Sequence, residues 1–170
     1  NLLAILNDNK LLLSFIYVIL SFLSAVIIDK IFISFFRILV KKSKTDIDDK
    51  IVEALHKPLY YSILFFGLSI AIKLLSLPES VIFTFVGIFK SLIVILWAFA
   101  IIRSFIIFIQ WTSRKNRESS FIQTKTLPLF ENLGKIIIFL LSIYFIMVTW
   151  NIDVTAWVAS ATVISGVLAF

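Results

Sequence analysis

The sequence predicts an all-α integral membrane protein: a helical bundle of five spanning helices with one short amphipathic helix at the membrane surface. Three observations carry that prediction. Of the 170 residues, 61% are hydrophobic and 15% charged, with a mean hydropathy of +1.07. Ordinary soluble domains hold roughly 45 to 50% apolar and about 25% charged residues. Uncharged runs extend from Leu11 to Ile28, Pro58 to Ile72, Ser91 to Ile102, Ile136 to Ile152 and Val154 to Phe170. They cross lipid as helices, because an open sheet edge would leave backbone polar groups without partners there. Finally, the cations alternate between connectors. Lys30, Arg37, Lys41, Lys42, Lys44, Lys50 and Lys57 surround the first, and Arg114, Lys115, Arg117, Lys125 and Lys135 the third, whereas the second has only Lys73 and the turn "WNID" has none.

The first span is expected at Leu11 to Val40. It has no basic leader and continues past Asp29-Lys30 into "IFISFFRILV", which is unlike a cleavable signal. The stretch "TDIDDKIVEALHKPL" follows as a surface helix over residues 45–57. Thr45 is its N-cap, Asp48 completes a capping box, and Ile47, Ile51, Val52 and Leu55 share one face. Asp46, Asp48 and Asp49 favour the dipole of its first turn, which needs no metal. The remaining spans are expected at Leu59 to Leu77, Ser80 to Trp111, Pro128 to Trp150, and from Val154 to beyond Phe170. That last run is shorter than the roughly 20 residues of a spanning helix, which predicts further helix and a soluble domain after residue 170. By the positive-inside rule the first and third connectors are cytoplasmic, with the N-terminus outside and residue 170 inside. Tyr60, Tyr61 and Trp111 then anchor inner ends, and Trp150 an outer one. The net charge of +6 is a topology signal and not a nucleic-acid footprint.

The composition removes several chemistries. No cysteine is present, so disulfides, thiolate metal sites and a cysteine nucleophile are excluded, and no Gly-rich phosphate loop or Ser/His/Asp constellation occurs. No enzyme, cofactor or metal site is expected. The single His56 lies in a charged connector and reads as a surface residue. Lys90 and Arg103 interrupt the third span near opposite ends, where each can snorkel to the nearer lipid headgroups.

The final helix differs from the rest. Ala156, Ala159, Ser160, Ala161, Thr162, Ser165, Gly166 and Ala169 crowd it, with Ala161-x3-Ser165, Thr162-x3-Gly166 and Ser165-x3-Ala169 at small-xxx-small spacing. The preceding "IIIFLLSIYFIMVTW" carries bulky side chains that suit lipid, whereas small ones let helix backbones approach closely. The last helix is therefore expected to pack among helices, within one bundle or around a symmetry axis.

"WNIDVTAWVASATVISGVLAF" is similar to the start of the pore helix of the small-conductance mechanosensitive channel (MscS-like) family. "KKSKTDIDDKIVEALHKPL" resembles the connector of its larger members, and "SRKNRESSFIQTKTLPLFENLGKI" lies between the two in the expected order. The resemblance implies a homo-heptamer in a bacterial-type inner membrane, opened by tension to pass ions and small osmolytes. Residues 1–111 would be lipid-facing sensor helices, 112–127 a basic cytoplasmic connector, and 128–170 the penultimate helix and the start of the pore helix. Ser160, Val163, Gly166, Val167 and Phe170 would line or gate the pore, with Ala156, Ala159, Thr162, Ser165 and Ala169 in helix packing. Val163 and Ile164 stand where the family prefers Gly or Ala. Two other readings of the same residues are a secondary transporter, which needs broken helices or polar groups at the midplane, and a structural membrane subunit without a pore.

Overall fold

The structure, a computed structural model, describes residues 9–40, 46–115 and 126–168. Its elements there are five helices: α1 (Lys10–Val40), α2 (Asp46–Leu74), α3 (Glu79–Lys115), α4 (Leu127–Thr149) and α5 (Thr155–Leu168). Among the described residues four segments are long and apolar enough to cross a membrane: Lys10–Phe36, Asp49–Leu74, Glu79–Ser113 and Leu127–Thr149. The 14 residues of α5 give about 21 Å at 1.5 Å per residue, short of the roughly 30 Å of a hydrocarbon core. The described part of the expected fifth span is thus a shorter apolar helix.

The packing is inside-out. Buried apolar side chains include Ala25, Ala54, Ala71, Ala100 and Ile109, while Leu11 is 71% and Phe99 68% exposed. In water such exposure would drive collapse; in lipid it is the ordinary arrangement, because acyl chains solvate leucine and phenylalanine as well as a protein core does. What holds the helices together instead is close approach at small residues. Ser14 and Ser21 of α1 are buried against α2, and the Ser14 hydroxyl donates to the Ala71 carbonyl at 3.0 Å. A Cβ added at Gly67 would collide with Ser21, and one added at Gly134 with the ring of Phe105. Trp97 Nε1 of α3 donates to Ser62 Oγ of α2 at 2.9 Å, and that hydroxyl donates onward to the Pro58 carbonyl at 2.7 Å.

Within the expected all-helical assembly the described helices pack in chain order. α1 packs on α2, α2 on α3 and α3 on α4, and among the described residues no other pair of helices is in close contact. The result is a single-layer row. Each contact seam is a narrow line of small residues, and lipid supplies no hydrophobic force that would fold the row onto itself.

The expected separate surface helix is corrected: α2 runs unbroken from Asp46 to Leu74 with Pro58 inside it, so that segment forms the first turns of one long helix. Thr45, its expected cap, lies outside the described residues. A proline deletes one helical hydrogen bond. Here Pro58 is buried and its neighbours are held from both sides, with His56 against α1 and Ser62 against α3, so packing overrides the break.

Contacts between helices also show that the ends of the uncharged runs align. At one end His56 Nδ1 lies 3.3 Å from Asp29 Oδ1, an Arg103 guanidinium nitrogen lies 4.0 Å from Glu53, and Gln110 Nε2 donates to Glu131 at 2.9 Å. At the other, Lys10 Nζ donates to Ser76 Oγ at 2.7 Å, and Lys73, Glu79 and Lys90 surround one groove. Two polar belts thus bound a common apolar slab, the pattern a bilayer requires of integral membrane helices.

Candidate functional site: the α4–α5 corner and the last helix

The turn between α4 and α5 is built residue by residue. Asn151 adopts the left-handed region (φ 53°), and the amides of Asn151 and Ile152 donate to the carbonyls of Val148 (3.1 Å) and Met147 (3.0 Å). This is a Schellman closure, which satisfies the carbonyls left over at a helix end and favours asparagine where glycine is absent. Two residues later Asp153 Oδ1 accepts the Thr155 amide at 2.9 Å and caps the start of α5. "WNID" is therefore a stop signal followed by a start signal.

Trp150 was expected as a membrane-interface anchor. In the structure it also packs inward: its indole lies 3.3 Å from where a Gly87 Cβ would sit, meets Phe83 edge-on at 5.9 Å, and donates from Nε1 to Ser91 Oγ at 3.0 Å. The Ser91 hydroxyl in turn donates to the Gly87 carbonyl at 2.8 Å. The corner is thereby tied to α3.

Beyond the corner, α5 makes no close contact with any other described helix. Helical spacing puts Ala156, Ala159, Ser160, Val163, Gly166 and Val167 on one stripe, with Thr162 and Ser165 off it and Ile164 on another side. The stripe thus joins four of the five expected pore residues to two of the expected packing residues; Ala169 and Phe170 lie outside the described residues. Every stripe residue is exposed, Val163 at 66% and Val167 at 71%, and nothing lies within 4 Å of a Cβ placed on Gly166. The Ser160 and Thr162 hydroxyls donate to the carbonyls of Ala156 (2.7 Å) and Val158 (2.8 Å), so these polar groups can enter an apolar setting with their donors satisfied.

The other expected residues fall elsewhere. Lys90 lines the groove beside the corner, while Arg103 is exposed on the opposite belt within 4.0 Å of Glu53, a solvated pair that contributes little to stability. His56 is not a bare surface residue: it is half-buried against Asp29 and joins α2 to α1. Sequence reasoning missed this pair, because it depends on the register between two helices. It also missed Gly67, Gly87 and Gly134, whose signal was present. A glycine inside a helix costs about 1 kcal/mol relative to alanine, so three of them in apolar helices call for a packing reason.

Asp153 supplies a pH prediction. The Thr155 hydroxyl, and after it the Thr155 amide, hold its carboxyl below the ordinary value of 3.8. A depressed folded value means that the cap contributes fully above the ordinary value and is lost as pH falls through the lowered one. Amide protection at Thr155, corrected for intrinsic exchange, should drop on acidification through that range, and Asp153→Asn should abolish the pH dependence.

Comparison of the chain with protein-family models, with curated proteins and with solved structures gives no match.

Proposed function

We propose that this chain forms the membrane part of a mechanosensitive ion channel, in which identical copies assemble around α5 and membrane tension opens a central pore for ions and small osmolytes under hypo-osmotic stress. The observation that carries the reading is the stripe Ala156, Ala159, Ser160, Val163, Gly166 and Val167 on a helix that no other described helix covers. Small residues at helical spacing suit close packing between helices, and lipid gains nothing from them. Around a symmetry axis, a heptameric one by the sequence resemblance, the same stripe gives a narrow apolar lining. Rings of valine leave water without hydrogen-bond partners, so such a pore dewets and blocks ions without a plug.

The rest of the chain fits the sensing role. A single-layer row exposes Phe, Ile and Leu on both faces, so each helix follows the surrounding bilayer. Tension then favours whichever state occupies more membrane area, and a difference in stability between two states is all that gating requires. In this reading the basic connectors are cytoplasmic, in a bacterial-type inner membrane, and the partners are lipids and further copies of the chain.

Suction applied to membrane patches containing the full-length protein tests the proposal. Tension-dependent conductance is expected from a ring-shaped homo-oligomer, and Val167→Asn, which supplies donors and acceptors that water can use, should open at lower tension or leak at rest. A monomer or two-fold dimer that passes no tension-dependent current would sink the reading, and a Val167→Asn channel identical to its parent would remove Val167 from the gate.

A further inference from the structure

A cavity of about 330 Å³ lies where the end of α2, the first half of α3 and the α4–α5 corner meet. Its charged residues are Lys73, Glu79 and Lys90; Phe83 and Val86 supply an apolar wall, and Asn151 of the corner lies at its edge. The three charges are not spent on one another: among the described residues none of them takes part in an ion pair or a side-chain hydrogen bond. Two cations and one acid beside an apolar wall, on the belt bounding the apolar slab, form an uncompensated set at headgroup depth.

Depth orders the charges. Glu79 is in the first turn of α3 and Lys90 lies roughly 16 Å further along the axis at 1.5 Å per residue. Side chains of a helix lean toward its N-terminus, so Lys90 reaches back up toward Glu79. Lys73, in the last turn of α2, approaches from the neighbouring helix. An anion held between the two ammonium groups would sit below the Glu79 carboxylate, with Phe83 and Val86 beside it and the bilayer beneath.

We propose that this groove binds one phospholipid whose headgroup carries a phosphodiester and a primary ammonium, as in phosphatidylethanolamine. Lys73 and Lys90 donate to the phosphodiester oxygens, Glu79 accepts from the ammonium, and the upper acyl chain lies along Phe83 and Val86. Charge complementarity selects this occupant. A free phosphate would leave Glu79 facing an anion and the apolar wall uncovered, while a quaternary ammonium could not donate a hydrogen bond to Glu79. The bound lipid would bridge α2, α3 and the corner from which α5 departs.

The inference rests on membrane insertion and not on the pore, so its test reads lipid and not current. Native mass spectrometry of the full-length protein, offered phosphatidylethanolamine and phosphatidylcholine with identical acyl chains, should show several-fold preferential retention of the first. Lys73→Gln/Lys90→Gln should reduce retention of both by about a hundredfold, the scale of two lost charge-assisted hydrogen bonds. Glu79→Gln should lower phosphatidylethanolamine to the phosphatidylcholine level and leave the latter unchanged. Lys10→Gln removes a cation from the same belt without touching the groove and should retain the parent pattern, with circular dichroism confirming that each variant is folded. Parent-like retention by the double lysine variant overturns the proposal, as does an equal loss in Lys10→Gln. Displacement of the lipid by millimolar inorganic phosphate overturns it in favour of a free-anion site.

Discussion

Gly67→Leu should be among the most destabilising single substitutions in the described part of this chain, lowering the unfolding free energy in detergent or bicelles by about 3 kcal/mol. The reason is the identity of the atoms in the way. A Cβ at Gly67 would overlap the Cβ of Ser21 and lie 3.2 Å from its Cα, so no rotamer change clears the space and α1 must move away from α2. That displacement also draws the Ser14 hydroxyl away from the Ala71 carbonyl. The same mechanism makes Gly134 more forgiving, since the obstruction there is the far end of the Phe105 ring, which can turn. Gly166→Ala provides the contrast. With nothing within 4 Å, it should leave the protomer as stable or more stable by up to about 1 kcal/mol, the helix-propensity difference. Steric-trap unfolding of the variants side by side measures both effects. A Gly67→Leu protein as stable as its parent would show that the α1–α2 seam is looser than described.

Trp150→Ala should cost about 2 kcal/mol, below the 3 to 5 kcal/mol typical of a fully buried tryptophan because this one is only half-buried. The loss combines the packing of the indole on Gly87, its edge contact with Phe83 and its hydrogen bond to Ser91. Within membranes an interhelical hydrogen bond is worth about 0.6 kcal/mol on average, so most of the cost should come from packing. Trp150→Phe separates the terms, keeping most of the contact while removing the donor, and should recover more than half of the loss. Because the ring ties the α4–α5 corner to α3, Trp150→Ala should also increase amide exchange at Asn151 and Ile152. Unchanged exchange there would mean that the Schellman closure holds the corner unaided.

The helices were legible because charge punctuates them. The uncharged runs from Leu11, Pro58 and Ser91 fall inside α1, α2 and α3, the run from Ile136 ends just past α4, and the run from Val154 encloses α5. Pro58 misled, since a proline after a charged amphipathic stretch reads as a boundary, whereas in the structure Pro58 is buried within α2 and packing with both neighbours carries the helix through. The row arrangement was not legible either. Sequence shows which residues are small, but whether α1 meets α4 depends on how seams are distributed around each helix. Likewise Asp29 and His56, or Ser62 and Trp97, are paired only by the register of two helices. The small residues of the last helix were legible as a set. Helical spacing divides them: Ala156, Ala159, Ser160 and Gly166 join Val163 and Val167 on one stripe, with Thr162 and Ser165 outside it.

The row has a thermodynamic consequence. Where, among the described residues, α1 to α4 each touch only the helix before and the helix after, their free energy becomes a chain of nearest-neighbour couplings, as in repeat proteins, and no long-range closure among them enforces all-or-none behaviour. Damage at one seam is then confined to that seam. Among the described helices α1 is held by α2 alone, so it can detach while the α3–α4 pair remains native. Assembly can run the same way in reverse, each newly inserted helix docking on its predecessor as synthesis proceeds, with no step waiting for a distant partner.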